Sequence, residues 1–340
     1  MKKLLIISEQ RSFLKRPLSH DAVLGQEKEF LEHGKDNVEI RYISILIKAL
    51  NRFGRKLGMR SLIDPFAGRR YENRVCLYIA MHINYLRSNL PLLKKLQESG
   101  NELAIYVWDC WEPEYEEWEA VLKDLKPNYI FLSFKQNWLH FKEIFNNCYW
   151  VPQSANRYFF KALDIPKTRR FIQMGRVNKP MHDSILSYLK KKGLPDTDDN
   201  YVYRRKEKEA LFPELPDLVR EINRSRYIVC IPKCYENPKR TGDVCAMTGR
   251  YYESIVCKTL IIGKKPLVFD ELFPSDGMIE FKEDLSDFDE RIDDLENDPE
   301  KYTRIVENNY ECFMKHHTWS NRLDQMLDII NNKNENKAFK

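Results

Sequence analysis

Two kinds of hydrophobic pattern alternate along the chain. Short continuous apolar runs at residues 4–7, 75–80, 103–108 and 129–132 read as strands covered on both faces. Between them, stretches such as 90–97 and 118–125 repeat their apolar residues every three or four positions and read as helices packed on a sheet. Alternation of this kind predicts an α/β chain with a doubly wound parallel sheet.

The pattern restarts after Ile165-Pro166, where the basic stretch 167–170 leads into a strand at 171–175 and a helix over 184–192. Strands at 201–203, 227–231 and 259–262 then alternate with helices at 215–223 and 250–257. Three amphipathic helices close the sequence. The first carries Leu285, Phe288, Ile292 and Leu295 over 284–295, the second starts at Asp298-Pro299-Glu300, and the third aligns Trp319, Leu323, Met326, Leu327 and Ile330. Two α/β halves in series follow, with a boundary near Pro166.

Composition narrows the classes. A length of 340 residues suits two domains, and 43% hydrophobic with 31% charged residues excludes disorder along most of the chain. Lys and Arg number 56 against 51 Asp and Glu, a balance too even for a dedicated nucleic-acid binder but compatible with gripping one phosphorylated small molecule. No apolar run approaches the ~20 residues needed to cross a bilayer, and no signal-peptide pattern opens the chain, so a cytoplasmic protein is expected. Its eight irregularly spaced cysteines are then expected to be reduced. GxxxxGK[ST], GxGxxG and HExxH are all absent, and no metal or resident cofactor is expected.

In an open parallel sheet, ligands bind beyond the carboxyl ends of the strands. In the second half those positions collect cations: Gly175-Arg176-Val177-Asn178-Lys179 after one strand, Pro232-Lys233 after another, then Lys239-Arg240. The helix opening at Gly249-Arg250-Tyr251-Tyr252-Glu253 adds amide N–H groups and a dipole that favour an anion such as diphosphate. Arg250 supplies a bidentate phosphate donor, and Glu253, one turn on, is suited to accept two hydroxyl hydrogen bonds from a ribose. Phosphate-facing cations beside such an acid describe a nucleotide site. The alternative for Glu253 is an exposed helical ion pair with Arg250.

The run 250–262, R-Y-Y-E-S-I-V-C-K-T-L-I-I, is followed by 281–285, Asp298-Pro299-Glu300 and His317-Thr318-Trp319-Ser320-Asn321-Arg322. In order and spacing this resembles the carboxyl-terminal domain of GT-B glycosyltransferases, in particular the CgeB-type spore-maturation group. Met174-Gly175-Arg176 with Lys179 resembles the segment that opens the nucleotide domain in related enzymes. Two departures stand out: Lys258 sits where glycine is usual, and 242–249 replaces the usual donor-sugar loop.

The resemblance implies two Rossmann-like domains with a cleft between them, an acceptor domain at 1–165 and a nucleotide-sugar domain at 166–316. A crossover helix at 317–332 would return toward the first domain, and a tail would follow at 333–340. It further implies metal-independent transfer of a sugar from a nucleotide-diphosphate sugar to a glycan or lipid-linked acceptor in bacterial surface-polysaccharide synthesis. Arg176, Lys179, Lys233, Arg250, Tyr251 and Glu253 would bind the donor. A catalytically silent nucleotide binder and a sugar-nucleotide epimerase are the alternatives. On the acceptor side, His20 beside Asp21 could supply a base, and Asp109 follows a strand facing the cleft.

Residues 40–62 mix Ile, Leu and Phe with Arg41, Lys48, Arg52, Arg55, Lys56 and Arg60. Such a segment can lie on an anionic membrane at its inner face, or can pack in the N-terminal core with its arginines in water. His316-His317 and the cluster Trp108, Trp111, Tyr115 and Trp118 read chiefly as core, although the tryptophans are also of a kind that stacks on sugar rings.

Overall fold

The computed structural model describes residues 1–9, 19–56, 62–175, 177–203, 212 and 214–332, without the side chains at 19, 20, 52 and 54–56. It divides into two compact units. The first runs from Met1 to Gln153 and takes in Arg240–Val244 and the helix Trp319–Asn331; the second holds Ser154–Lys239 and Cys245–Thr318.

In the first unit, β1 (Lys3–Ser8), β2 (Val38–Tyr42), β3 (Arg74–Ala80), β4 (Glu102–Val107), β5 (Tyr129–Leu132) and β6 (Cys148–Trp150) form one sheet in the order β2-β1-β3-β4-β5-β6. Every pairing is parallel, with Leu5 opposite Glu39 on one side and Cys76 on the other. Because side chains alternate across a strand, Leu5, Ile7, Cys76 and Tyr78 face the helices Ile83–Glu98 and Tyr115–Leu125. Leu4, Ile6, Val75 and Leu77 face Phe30 of the helix Ser19–Gly34 and Trp319, Leu323, Met326 and Ile330 of the C-terminal helix. Trp319 is fully buried, its ring centroid 5.3 Å from that of Trp108. Trp108, Trp111 and Trp118 are buried, so these rings build core and not an exposed stacking surface. Asp243 joins this unit by donating its N–H to Glu112 Oε2 at 2.6 Å.

The second unit has β7 (Arg169–Gln173), β8 (Tyr201–Tyr203), β9 (Ser225–Cys230), β10 (Leu260–Gly263) and β11 (Ile279–Glu280), in the order β11-β10-β9-β7-β8 and again all parallel. Residues before β7 already belong here: Ala155 and Phe160 join its core, and Leu163 N–H donates to Asn223 Oδ1 at 2.9 Å. That packing sets the division between Gln153 and Ser154, ahead of Pro166.

Two left-handed residues shape this unit. Leu285 at φ 56° stops the helix read over 284–295 from extending back, so it begins at Phe288 and Asp287 accepts from Lys282 N–H at 2.9 Å. Lys258 at φ 51° closes the helix Gly249–Val256, and Thr259 N–H returns to Ser254 O at 3.0 Å. Glycine suits that conformation best; here a lysine holds it, ion-paired to Glu307 at 2.6 Å and stacked over Tyr310 at 4.5 Å. All eight cysteines are free thiols, and no described helix is long and apolar enough to cross a membrane.

Candidate nucleotide site

The chain turns to opposite sides of the second sheet around β7, whose neighbours are β8 and β9. Beyond the carboxyl ends of β7 and β9 lies the switch point where open α/β sheets bind ligands. Three sequence elements converge on it. β7 exits through Met174-Gly175, β9 exits through Cys230-Ile231-Pro232, and the helix Gly249–Val256 starts alongside.

Contacts show how closely they meet. A Cβ on Gly175, which sits at φ +75°, would lie 2.7 Å from Arg250 Nη2, so the guanidinium rests on the bare backbone just after β7. Gly263, at φ +133°, would drive a Cβ to 2.3 Å from Cys230 O, and the next amide, Lys264 N–H, donates to that carbonyl at 3.1 Å. The exits of β9 and β10 are thereby locked together. Ser254 Oγ donates to Arg250 O at 2.7 Å and stands 3.8 Å from Cys230 Sγ.

The helix start is half-buried. Thr248 occupies the N-cap position without a side-chain cap; its carbonyl takes the Tyr251 N–H at 3.1 Å, and no described residue accepts from the Gly249 and Arg250 amides. Among the described residues, none hydrogen-bonds or ion-pairs with the Arg250 guanidinium or the Glu253 carboxylate. The Glu253 carboxylate curls back toward the helix start, with Oε1 3.5 Å from where a Gly249 Cβ would stand. Burial pushes its pKa up to about 7, while the charge of Arg250 pulls the other way. Burial likewise raises the Cys230 thiol to about 12, against the pull of Arg250, so that sulfur is neutral packing.

The other expected site residues fall as follows. Tyr251 is buried, and its hydroxyl donates to Lys264 O at 3.0 Å, fixing the loop after β10. Lys233 begins the short helix Lys233–Glu236 beyond β9. Lys179 opens the helix Lys179–Lys191, whose start is capped by Asn178; its ammonium is 84% exposed and paired with Asp183 at 2.9 Å. Arg176 lies outside the described residues. Asp109, in the first unit, follows β4 and accepts from Gln153 Nε2 at 3.4 Å. His20 lies in the first turn of the helix Ser19–Gly34, and its side chain is outside the described set. His317 is structural: Nε2 bonds Leu272 O at 2.5 Å and its own carbonyl accepts from Ser154. Among the described residues, no cluster of His, Cys, Asp and Glu is arranged to hold a metal ion.

Sequence reasoning missed two polar clusters at the carboxyl edge of the first sheet. Glu9, directly after β1, accepts from Lys48, Tyr78 and Asn89. His82, after β3, pairs with Glu114 at 3.2 Å and caps the helix Ile83–Glu98. The only linear signal was the position of Glu9 just beyond the first apolar run.

Comparison with known proteins meets this geometry. Residues 179–328, just under half of the chain, match the family described as glycosyl transferase-like. TarM superimposes at a TM-score of 0.50 with 10% identity, over 76% of this chain and 55% of its own. The N-terminal domain of Candida albicans trehalose-6-phosphate phosphatase gives 0.58 with 9% identity, over 98% and 97%. The fold is GT-B. The accessory secretory protein 1, 2 and 3 structure from Streptococcus pneumoniae gives 0.53 with 11% identity over 84% of this chain and 57% of that one. The chain therefore spans little more than half the length of TarM and of the pneumococcal protein. Comparison with curated proteins gives no match.

Proposed function

We propose that the chain transfers a sugar from a nucleotide-diphosphate sugar to a hydroxyl of a glycan or lipid-linked acceptor. One observation carries the reading: a half-buried carboxylate, Glu253, with no hydrogen-bond or ion-pair partner among the described residues, stands one turn from an arginine at an uncapped helix start on the switch point of a parallel sheet. The physical demand of such a transfer is to stabilise charge on the leaving diphosphate while the sugar becomes oxocarbenium-like. Arg250 and the first-turn amides of its helix meet that demand without reorganising. Glu253 accepts the ribose hydroxyls, Tyr251 holds the neighbouring loop in place, and Arg176, Lys179 and Lys233 add cations around the diphosphate. Asp109 and His20 are the acceptor-side candidates for a general base.

The test is turnover of a panel of nucleotide-sugars with and without added glycan and lipid-linked acceptors. Acceptor-dependent release of nucleoside diphosphate is expected. Acceptor-independent conversion to a second nucleotide-sugar would identify an epimerase, and binding without turnover a silent descendant of the fold; either would refute the proposal. A pH-rate profile unchanged in Asp109→Asn and His20→Ala enzymes would remove both bases.

A further inference from the structure

We propose that the helix Ile45–Lys56 of the first unit is a docking surface for an anionic lipid bilayer. The proposal stands whether or not the nucleotide reading does. It begins with a helix whose apolar side faces outward. Leu46, Leu50 and Phe53 follow one another at four- and three-residue steps and are 65%, 46% and 70% exposed. Ile45, in the same first turn, is exposed too, and Leu62 and Ile63 extend the apolar surface beyond the helix. Thirteen large apolar side chains are exposed among the described residues, and these six fall within 45–63. Singly exposed apolar residues need no explanation, but a concentration of this kind marks an interaction surface.

Polar anchors hold the helix in this orientation. Lys48, half a turn round from Leu46 and Leu50, ion-pairs with the buried carboxylate of Glu9, which Tyr78 and Asn89 also bond. Asn51 bonds both ways with the Leu62 backbone, donating at 2.8 Å and accepting at 2.6 Å, and Ser44 N–H donates to Asp64 at 3.0 Å. An ordinary surface helix turns its apolar stripe to the core and its charges to water; here Lys48 points inward and the apolar stripe outward.

Charge selects the occupant. Besides the inward-facing Lys48, the sequence from Ile40 to Lys56 contains Arg41, Arg52, Arg55 and Lys56 and no acidic residue. A second copy docking through the same segment would bring two stretches of like charge together, which repel. An anionic membrane takes the apolar stripe into its interface and attracts the cations of the segment.

The test is flotation of the full chain with vesicles of equal parts phosphatidylglycerol and phosphatidylcholine, compared with phosphatidylcholine alone. Binding to the mixed vesicles is expected to weaken at least tenfold on the neutral ones. It is also expected to weaken at least tenfold in the triple variant Leu46→Ser, Leu50→Ser, Phe53→Ser, whose circular dichroism and melting should match the wild type because all three side chains are exposed. A folded protein that fails to float at low salt, or a triple variant that floats as well as the wild type, overturns the proposal. So does concentration-dependent self-association abolished by the triple variant, or retention on an acidic polypeptide without retention on vesicles.

Discussion

Replacing Glu253 by glutamine keeps the side chain's size and removes its charge at the centre of the proposed donor site. If the carboxylate accepts ribose hydroxyls, the variant loses charge-assisted hydrogen bonds worth about 1.5–3 kcal/mol, roughly a 10- to 150-fold loss of donor affinity. The pKa of about 7 adds a pH signature, since only the ionised carboxylate accepts both hydroxyls. Wild-type affinity should therefore fall about tenfold between about pH 8 and pH 6, and the variant's should stay flat. Stability should move the opposite way. The carboxyl titrates near 4.5 in the unfolded chain and near 7 in the folded one, so the unfolded chain binds fewer protons between those values and stability drops as pH rises through that window. The loss is complete above about pH 7 and amounts to at most about 3 kcal/mol, because the side chain is only partly buried. Glu253→Gln should thus melt higher than the wild type at pH 8 and alike at pH 4, while binding donor more weakly. Calorimetric titration of the nucleoside diphosphate across this range, beside melting curves, reads both effects. A variant with unchanged affinity and an unchanged pH profile would refute the ribose assignment.

Three further substitutions probe the supports of the site and the fold. Gly175→Ala combines a left-handed φ with a Cβ 2.7 Å from Arg250 Nη2, so it should destabilise by about 1 kcal/mol and weaken diphosphate binding by displacing the guanidinium, measured by urea denaturation and titration. In Gly263→Val the new Cβ meets Cys230 O, a backbone atom that cannot swing aside, and a loss of more than about 3 kcal/mol or failure to accumulate as soluble protein is expected. Trp319→Ala empties a fully buried position in the core of the first unit and should lower its stability by about 3–5 kcal/mol in chemical denaturation.

Much of the architecture was legible because buried parallel strands write themselves as uninterrupted apolar runs. The runs at 4–7, 75–80 and 129–132 lie inside β1, β3 and β5. What escaped was short or half-wetted. β2 alternates Val38, Ile40 and Tyr42 with charged Glu39 and Arg41 at the sheet edge, and β6 has only three residues, too few for a period to show. The helix read over 284–295 starts late because Leu285 takes a left-handed conformation that apolar spacing does not encode.

At the candidate site, the place of Arg250 and Glu253 in the first turns of a helix was legible from the sequence, and the structure brings Arg250 onto Gly175. The burial that raises the Glu253 pKa was not legible, because the spacing along one helix does not show what packs over it. Lys179 was legible by position alone; the pairing of its exposed ammonium with Asp183, one turn along the same helix, needed coordinates. The orientation of the helix at 45–56 also needed coordinates, since sequence alone did not say which face meets water; Leu46, Leu50 and Phe53 are exposed and Lys48 pairs inward with Glu9.

The most direct measurement is a thermal-shift panel of nucleoside diphosphates and nucleotide-sugars on the wild type and on Arg250→Ala. A ligand at about 100 times its dissociation constant stabilises by about 2.7 kcal/mol. One base should raise the melting temperature by several degrees in the wild type and much less in the variant. A flat response to every nucleotide, or an equal shift in both proteins, would contradict a donor site at the start of the helix that bears Arg250.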